Sequence, residues 1–176
     1  MNNLSSKILT EQLQGSHGLL NMTMQGVTPE VASFTPPGLA NSITDTYVHI
    51  IVSEDWLIHV LLQNKQPLYA SELKNKIGVE AFTLPADNAF PAWTKGAKIH
   101  MEELKEYADK IFAMSEEYIK NLTDEDLQKE ADLSAFGMGK STVGFVIASI
   151  ITSNMNLHTG EISAIKGIQG LKGYPM

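Results

Sequence analysis

Four stretches of the chain repeat their apolar residues at helical spacing, with polar or proline-bearing stretches between them. The first runs from Leu4 to about Gln25, with Ile8, Leu9, Leu13, Leu19 and Leu20 on one side. Gly15 and Gly18 weaken its middle. The second is capped by Asn41 or Ser42 and runs to about Gln63 on Ile43, Tyr47, Ile50, Ile51, Leu57, Ile58 and Leu61. The third, Ile99 to about Leu122, has the clearest pattern, with Leu104, Tyr107, Ile111, Phe112, Tyr118 and Ile119 inward and an acidic and lysine-bearing face outward. The fourth spans Ser141 to Gly170 on Ile147, Ile151, Met155, Ile162 and Ile165, and Pro175 closes it. Four such patterns without a convincing strand predict an all-α bundle formed by a single domain over residues 1–176.

The connectors differ in kind. Gly26–Gly38 holds three prolines and is long enough to let the second helix cross the bundle instead of folding straight back. Asn64–Lys98 is broken by Pro67, Pro85 and Pro91, with a helix-like piece at Ser71–Lys76. Trp93 and Phe90 are expected to pack this flap on the bundle, as a pocket rim or as a plain insertion. In Thr123–Lys140, Thr123 and Asp126 form a capping box. The FGMGK that follows is not a phosphate loop, because Ser134 stands where its first glycine belongs.

Composition narrows the function. The 176 residues carry a formal charge of −7, and every fixed cation is a lysine. Without the forked guanidinium that reads phosphate and guanine, the chain is a poor partner for nucleic acid or an anionic membrane. There is no cysteine, so neither a thiolate metal site nor an internal thiol nucleophile exists. The apolar runs are too short to span a bilayer and the start lacks the apolar core of a signal peptide. A cytoplasmic protein is the expectation.

Asn154 and His158 lie on the apolar stripe of the fourth helix, one turn apart. Such a pair, joined by a histidine from another helix, can form a three-ligand metal site open to water or substrate. It can equally be a buried hydrogen-bonded pair. His49 flanks the stripe of the second helix, and by itself reads as a half-buried residue bonded to a carbonyl. His17 reads as an ordinary surface or core histidine. Glu161, three residues beyond His158, could ligate or orient it.

The stretches PPGLANSITDTYVHIIVSEDWLIH and NLHTGEISAIKGIQGLKGYP resemble the DinB-like superfamily. The resemblance implies a four-helix bundle with a long crossover, often dimeric. It also implies a site built from one histidine of the second helix and a His-x-x-x-His pair of the fourth. Those positions are His49, Asn154 and His158, with Asn154 departing from the pattern. The implied activity is that of a metal-dependent transferase using a small thiol cosubstrate, or a hydrolase, with zinc, nickel or iron as the divalent metal and a small-molecule substrate. The alternative is a non-catalytic, metal-free bundle that binds a small ligand or serves as a stress-response homodimer. Nucleic-acid repair has no support in these residues. All of this requires His49, Asn154 and His158 to converge at one interior spot.

Overall fold

The computed structural model describes residues 3–82, 94 and 97–175. The four long patterns are helices. α1 covers Leu4–Thr23, and the short α2, Pro29–Ser33, sits in the first connector. α3 covers Ile43–Asp55 and continues without a break as a π-helical segment, Trp56–Leu62. α4 covers Met101–Lys120 and α5 is the short Asp124–Leu127. The last helix begins as α6, Val143–Phe145, passes through a second π-helical segment, Val146–Thr152, and ends as α7, Ser153–Ile168.

Local chemistry sets the boundaries. Ser42 caps α3: its hydroxyl accepts from the Asp45 N–H at 3.0 Å, and the Asp45 carboxylate accepts from the Ser42 N–H at 3.2 Å. The same reciprocal box joins Thr123 and Asp126 at α5. Lys166 is buried, and its ammonium donates to the carbonyls of Thr23 at 2.6 Å and Gln25 at 3.0 Å, closing the end of α1.

α1 packs on α4 and α7, and α3 packs on the same two, so α1 and α3 stand diagonally opposite. The proline-bearing first connector therefore crosses the bundle, as its length predicts. α3 and α4 run in the same direction, since Tyr107 reaches Asp55 and Tyr118 reaches the Leu62 carbonyl. The long second connector is the crossover that parallel neighbours require. The expected packing of Phe90 and Trp93 lies outside the described residues.

Two local expectations are corrected. Ser71–Lys76 forms turns and not a helix, because Asn75 takes a left-handed φ of 63°. The connector before the last helix holds a small hairpin: β1, Glu130–Asp132, pairs antiparallel with β2, Lys140–Thr142, with Ala131 opposite Ser141. Three-residue strands are too short to show alternation in sequence. The turn between them rests on Gly137 and Gly139, at φ 72° and 68°.

The apolar core falls into two clusters along the bundle axis. One gathers Leu20, Tyr47, Ile51, Leu104, Ile111 and Met155; the other gathers Leu13, Ile58, Ile119, Val146, Ile147 and Ile151. On each helix the residues between these clusters are polar: His17, Glu54 and Asp55, Ser115 and Glu116, and Thr152 and Asn154. The bundle thus has a polar waist.

Candidate functional site

α3 and the last helix are antiparallel neighbours, and their facing side chains build the site. The His49 and His158 rings meet edge to face, with centroids 4.7 Å apart and an interplanar angle of 81°. Asn154 hydrogen-bonds to His49. The three residues singled out from sequence are therefore side by side.

Each imidazole is oriented by its own helix. His158 Nδ1 lies 2.7 Å from the Glu161 carboxylate, and His49 Nδ1 lies 3.5 Å from the Ser53 hydroxyl. Glu161 thus orients its histidine, in the manner of a carboxylate behind a metal-ligating imidazole. Nε2 is then the atom each ring would offer a ligand. Burial, followed by the neighbouring His158, lowers His49 to about 4, and the bond to Asn154 offsets only part of this. His49 is a neutral imidazole at neutral pH.

One turn further along α3, Ile50, Glu54, Leu57, Ile151, Asn154 and Met155 line a narrow crevice between the helices, too tight to hold a water molecule. Its walls are apolar except for Glu54 and Asn154. Directly beyond it both helices become π-helical, Trp56–Leu62 against Val146–Thr152. π-turns widen a helix and recur at functional sites. The Thr152 hydroxyl donates to the Ile147 carbonyl at 2.8 Å, five residues back across the wide turn.

Two buried polar clusters flank the crevice, and neither was evident from sequence. In the first, the His17 ring lies between two carboxylates. Nδ1 is 2.7 Å from Glu116, Nε2 is 3.1 Å from Glu54, and the ring stacks on Phe112 at 3.9 Å. The acidic face of α4, read from sequence as solvated, therefore has one inward member, Glu116. In the second, the carboxylate of fully buried Asp55 accepts three hydrogen bonds, from the Leu68 N–H at 3.0 Å, the Tyr69 N–H at 3.1 Å and the Tyr107 hydroxyl at 2.5 Å; His59 Nδ1 lies 2.7 Å from it but bonds to the Asp55 carbonyl, at 3.1 Å. The i, i+4 spacing of Asp55 and His59 was the available signal. Partners from remote segments, such as Glu116 for His17, leave no local signature.

The donor set comprises two imidazoles, one of them backed by a carboxylate, and one carboxamide oxygen. Among the described residues no three His, Cys, Asp or Glu side chains gather as a metal site. Glu54 borders the crevice, but both its oxygens are within 3.2 Å of His17. Of the three, the Asn154 oxygen is the poorest donor for a transition metal.

Comparison with known proteins gives the lineage. A family model for the DinB superfamily matches residues 12–162. The fold is similar to that of a protein from Enterococcus faecalis, described as the conserved protein of locus, with a TM-score of 0.76 and 19% identity over 94% of this chain and 97% of that one. At that identity the likeness establishes the fold. No curated protein matches the chain. Among the described residues no helix is long and apolar enough to cross a membrane.

Proposed function

The chain belongs to the DinB superfamily, and from that membership and the geometry of the waist we propose that it is a metal-dependent enzyme of transferase or hydrolase type with a modified triad. His49, Asn154 and His158 would hold a divalent zinc, nickel or iron ion. The observation that carries this reading is the pair of perpendicular imidazoles, 4.7 Å apart, with Glu161 orienting one of them. A bound divalent cation would supply Lewis acidity, lowering the pKa of a nucleophile or polarising an acceptor.

The chain's own residues supply the rest. His49 keeps its lone pair at neutral pH because burial disfavours its cation. Ile50, Leu57, Ile151 and Met155 pack tightly beside the trio and keep bulk water from that side. No cysteine is available, so the nucleophile is water or the thiolate of a small cosubstrate. Assembly as a cytoplasmic homodimer, common in the family, belongs to the same proposal.

A second reading has its own support. Asn154 is already hydrogen-bonded to His49, so the trio is satisfied as a polar cluster without an ion. On this reading the bundle is metal-free and non-catalytic, and binds a small ligand or serves as a stress-response dimer.

Reconstitution with each metal followed by elemental analysis and melting separates the two. The enzyme reading expects uptake near one equivalent, a raised Tm with the ion, and loss of both in His158→Ala. Uptake below about a tenth of an equivalent, with no change in Tm, refutes it, since an ion that binds the native state must stabilise it. If only Asn154→His then binds tightly, the site is a lapsed one and the second reading stands.

A further inference from the structure

His17 is in an unusual electrostatic position. Both ring nitrogens face carboxylate oxygens, at 2.7 Å to Glu116 and at 3.1 and 3.2 Å to Glu54. An ionised carboxylate only accepts, and a neutral imidazole has a single N–H. The two bonds can coexist only if the ring carries both protons or a carboxyl takes one. The ring is buried and sandwiched on Phe112, and Glu54 is 2% exposed. Glu116 is partly open to solvent and also accepts from Gln14 at 2.9 Å.

We infer that His17 is a pH-sensitive clasp: a proton on its ring ties α1 to α3 and α4 beside the crevice, and losing that proton loosens α1 and releases Glu54 toward Asn154. The clasp is distinct from the proposed ion site and does not depend on it.

The charged groups around it are few. α3 presents Glu54 and α4 presents Glu116. α7 presents Lys166, but to the carbonyls of Thr23 and Gln25 more than a turn away. The π-helical Val146–Thr152 has no ionisable side chain. On α5, Asp126 is engaged by Lys129 and Thr123. Burial pulls His17 down, but Glu54 first and then Glu116 outweigh it and hold the ring above its ordinary value. The clasp is therefore fully made below the unfolded value of about 6.5, and its contribution is lost as pH rises through the higher folded value. Once the ring is neutral it has one N–H for two carboxylates, so one of Glu54 and Glu116 faces a lone pair.

The test follows the ring nitrogens of the metal-free protein by heteronuclear NMR, alongside thermal melts, from pH about 6 to about 9. His17 is expected to stay doubly protonated past about 6.5, with Tm falling over the interval in which it titrates. Glu116→Gln, at a partly exposed position, should lower the His17 midpoint by about half a unit or more, a threefold change in proton affinity. His17→Gln should remove this component of the Tm profile. A neutral His17 in the wild type at pH about 6.5, or identical Tm profiles in wild type and Glu116→Gln, overturns the inference. If His17→Gln does not fold, the Glu116→Gln comparison alone decides.

Discussion

Asp55 is the most consequential single side chain in the waist. Its two oxygens accept from the Leu68 and Tyr69 N–H groups and the Tyr107 hydroxyl, and it is 0% exposed. It pins the start of the crossover connector to α3 where the π-turns begin, and it joins α3 to α4. Asp55→Asn preserves the shape. One carboxamide oxygen can keep the donors on its side. The NH2 group then displaces one backbone N–H, of Leu68 or of Tyr69, while the Tyr107 hydroxyl can turn to accept from it. A buried donor left without an acceptor costs about 1–3 kcal/mol, so the variant should lose about that much. For a chain of this size that is a fall in Tm of about 2 °C or more. Asp55→Ala orphans three donors and should lose about 3–9 kcal/mol, much of a typical total of about 5–15 kcal/mol. Tyr107→Phe removes one donor, leaves both backbone bonds and should cost about 1–3 kcal/mol. The Asn and Phe changes should not be additive, because both alter the Tyr107 bond. Urea denaturation followed by circular dichroism measures every term. A loss below about 1 kcal/mol in Asp55→Ala would refute the three-bond account.

Other variants test other links. Gly78 has φ +78°, and a Cβ there would come within 2.4 Å of the Leu104 nitrogen and 2.5 Å of the His100 oxygen. Gly78→Ala should therefore cost about 2 kcal/mol or more in denaturation, and a neutral result would mean the start of α4 adjusts freely. Ser42→Ala breaks the capping box of α3 and should cost about 1 kcal/mol in the same assay. Glu161→Gln should weaken zinc retention about 10- to 100-fold in a chelator competition while leaving the metal-free Tm close to wild type, if the proposed ion site holds.

The long elements were legible in sequence because periodicity reports burial, and the bundle buries one stripe per helix. Met155, Ile162 and Ile165 mark the inner face of α7, and the same stripe carries Asn154 and His158 toward His49. The capping box at Thr123, and a cap at Asn41 or Ser42, were legible because such bonds span three residues; the structure settles the second on Ser42. The π-helical stretches were not, because a wider turn alters the register by one residue without changing residue type. His17 was not either. Its identity as a clasp lies in Glu54 and Glu116, 37 and 99 residues away. The solvated look of the α4 face concealed Glu116, one acidic residue among several on a strongly amphipathic helix.

The position of the polar groups along the bundle gives them a common meaning. A bundle that needed only stability would run its apolar core unbroken, since a buried charge pair is at best a weak source of stability. Here the core is interrupted at one level, and each of the four long helices contributes polar side chains there: His17, Glu54 with Asp55, Ser115 with Glu116, and Thr152 with Asn154. At that level α3 and the last helix both widen into π-turns. The crevice between them has Glu54 and Asn154 as its polar lining. Those two residues lead to different networks, Glu54 to the His17 clasp and Asn154 to the His49 and His158 pair. Exchanging Glu54 for Gln tests whether the networks communicate through the crevice. The variant keeps a hydrogen-bond acceptor for His17 but removes the buried negative charge. The His17 midpoint should then fall, since Glu54 is foremost among the groups that raise it. If the crevice couples the two, the His49 and His158 ring signals should shift as well. Unchanged signals from that pair would mean that the waist holds two independent polar sites.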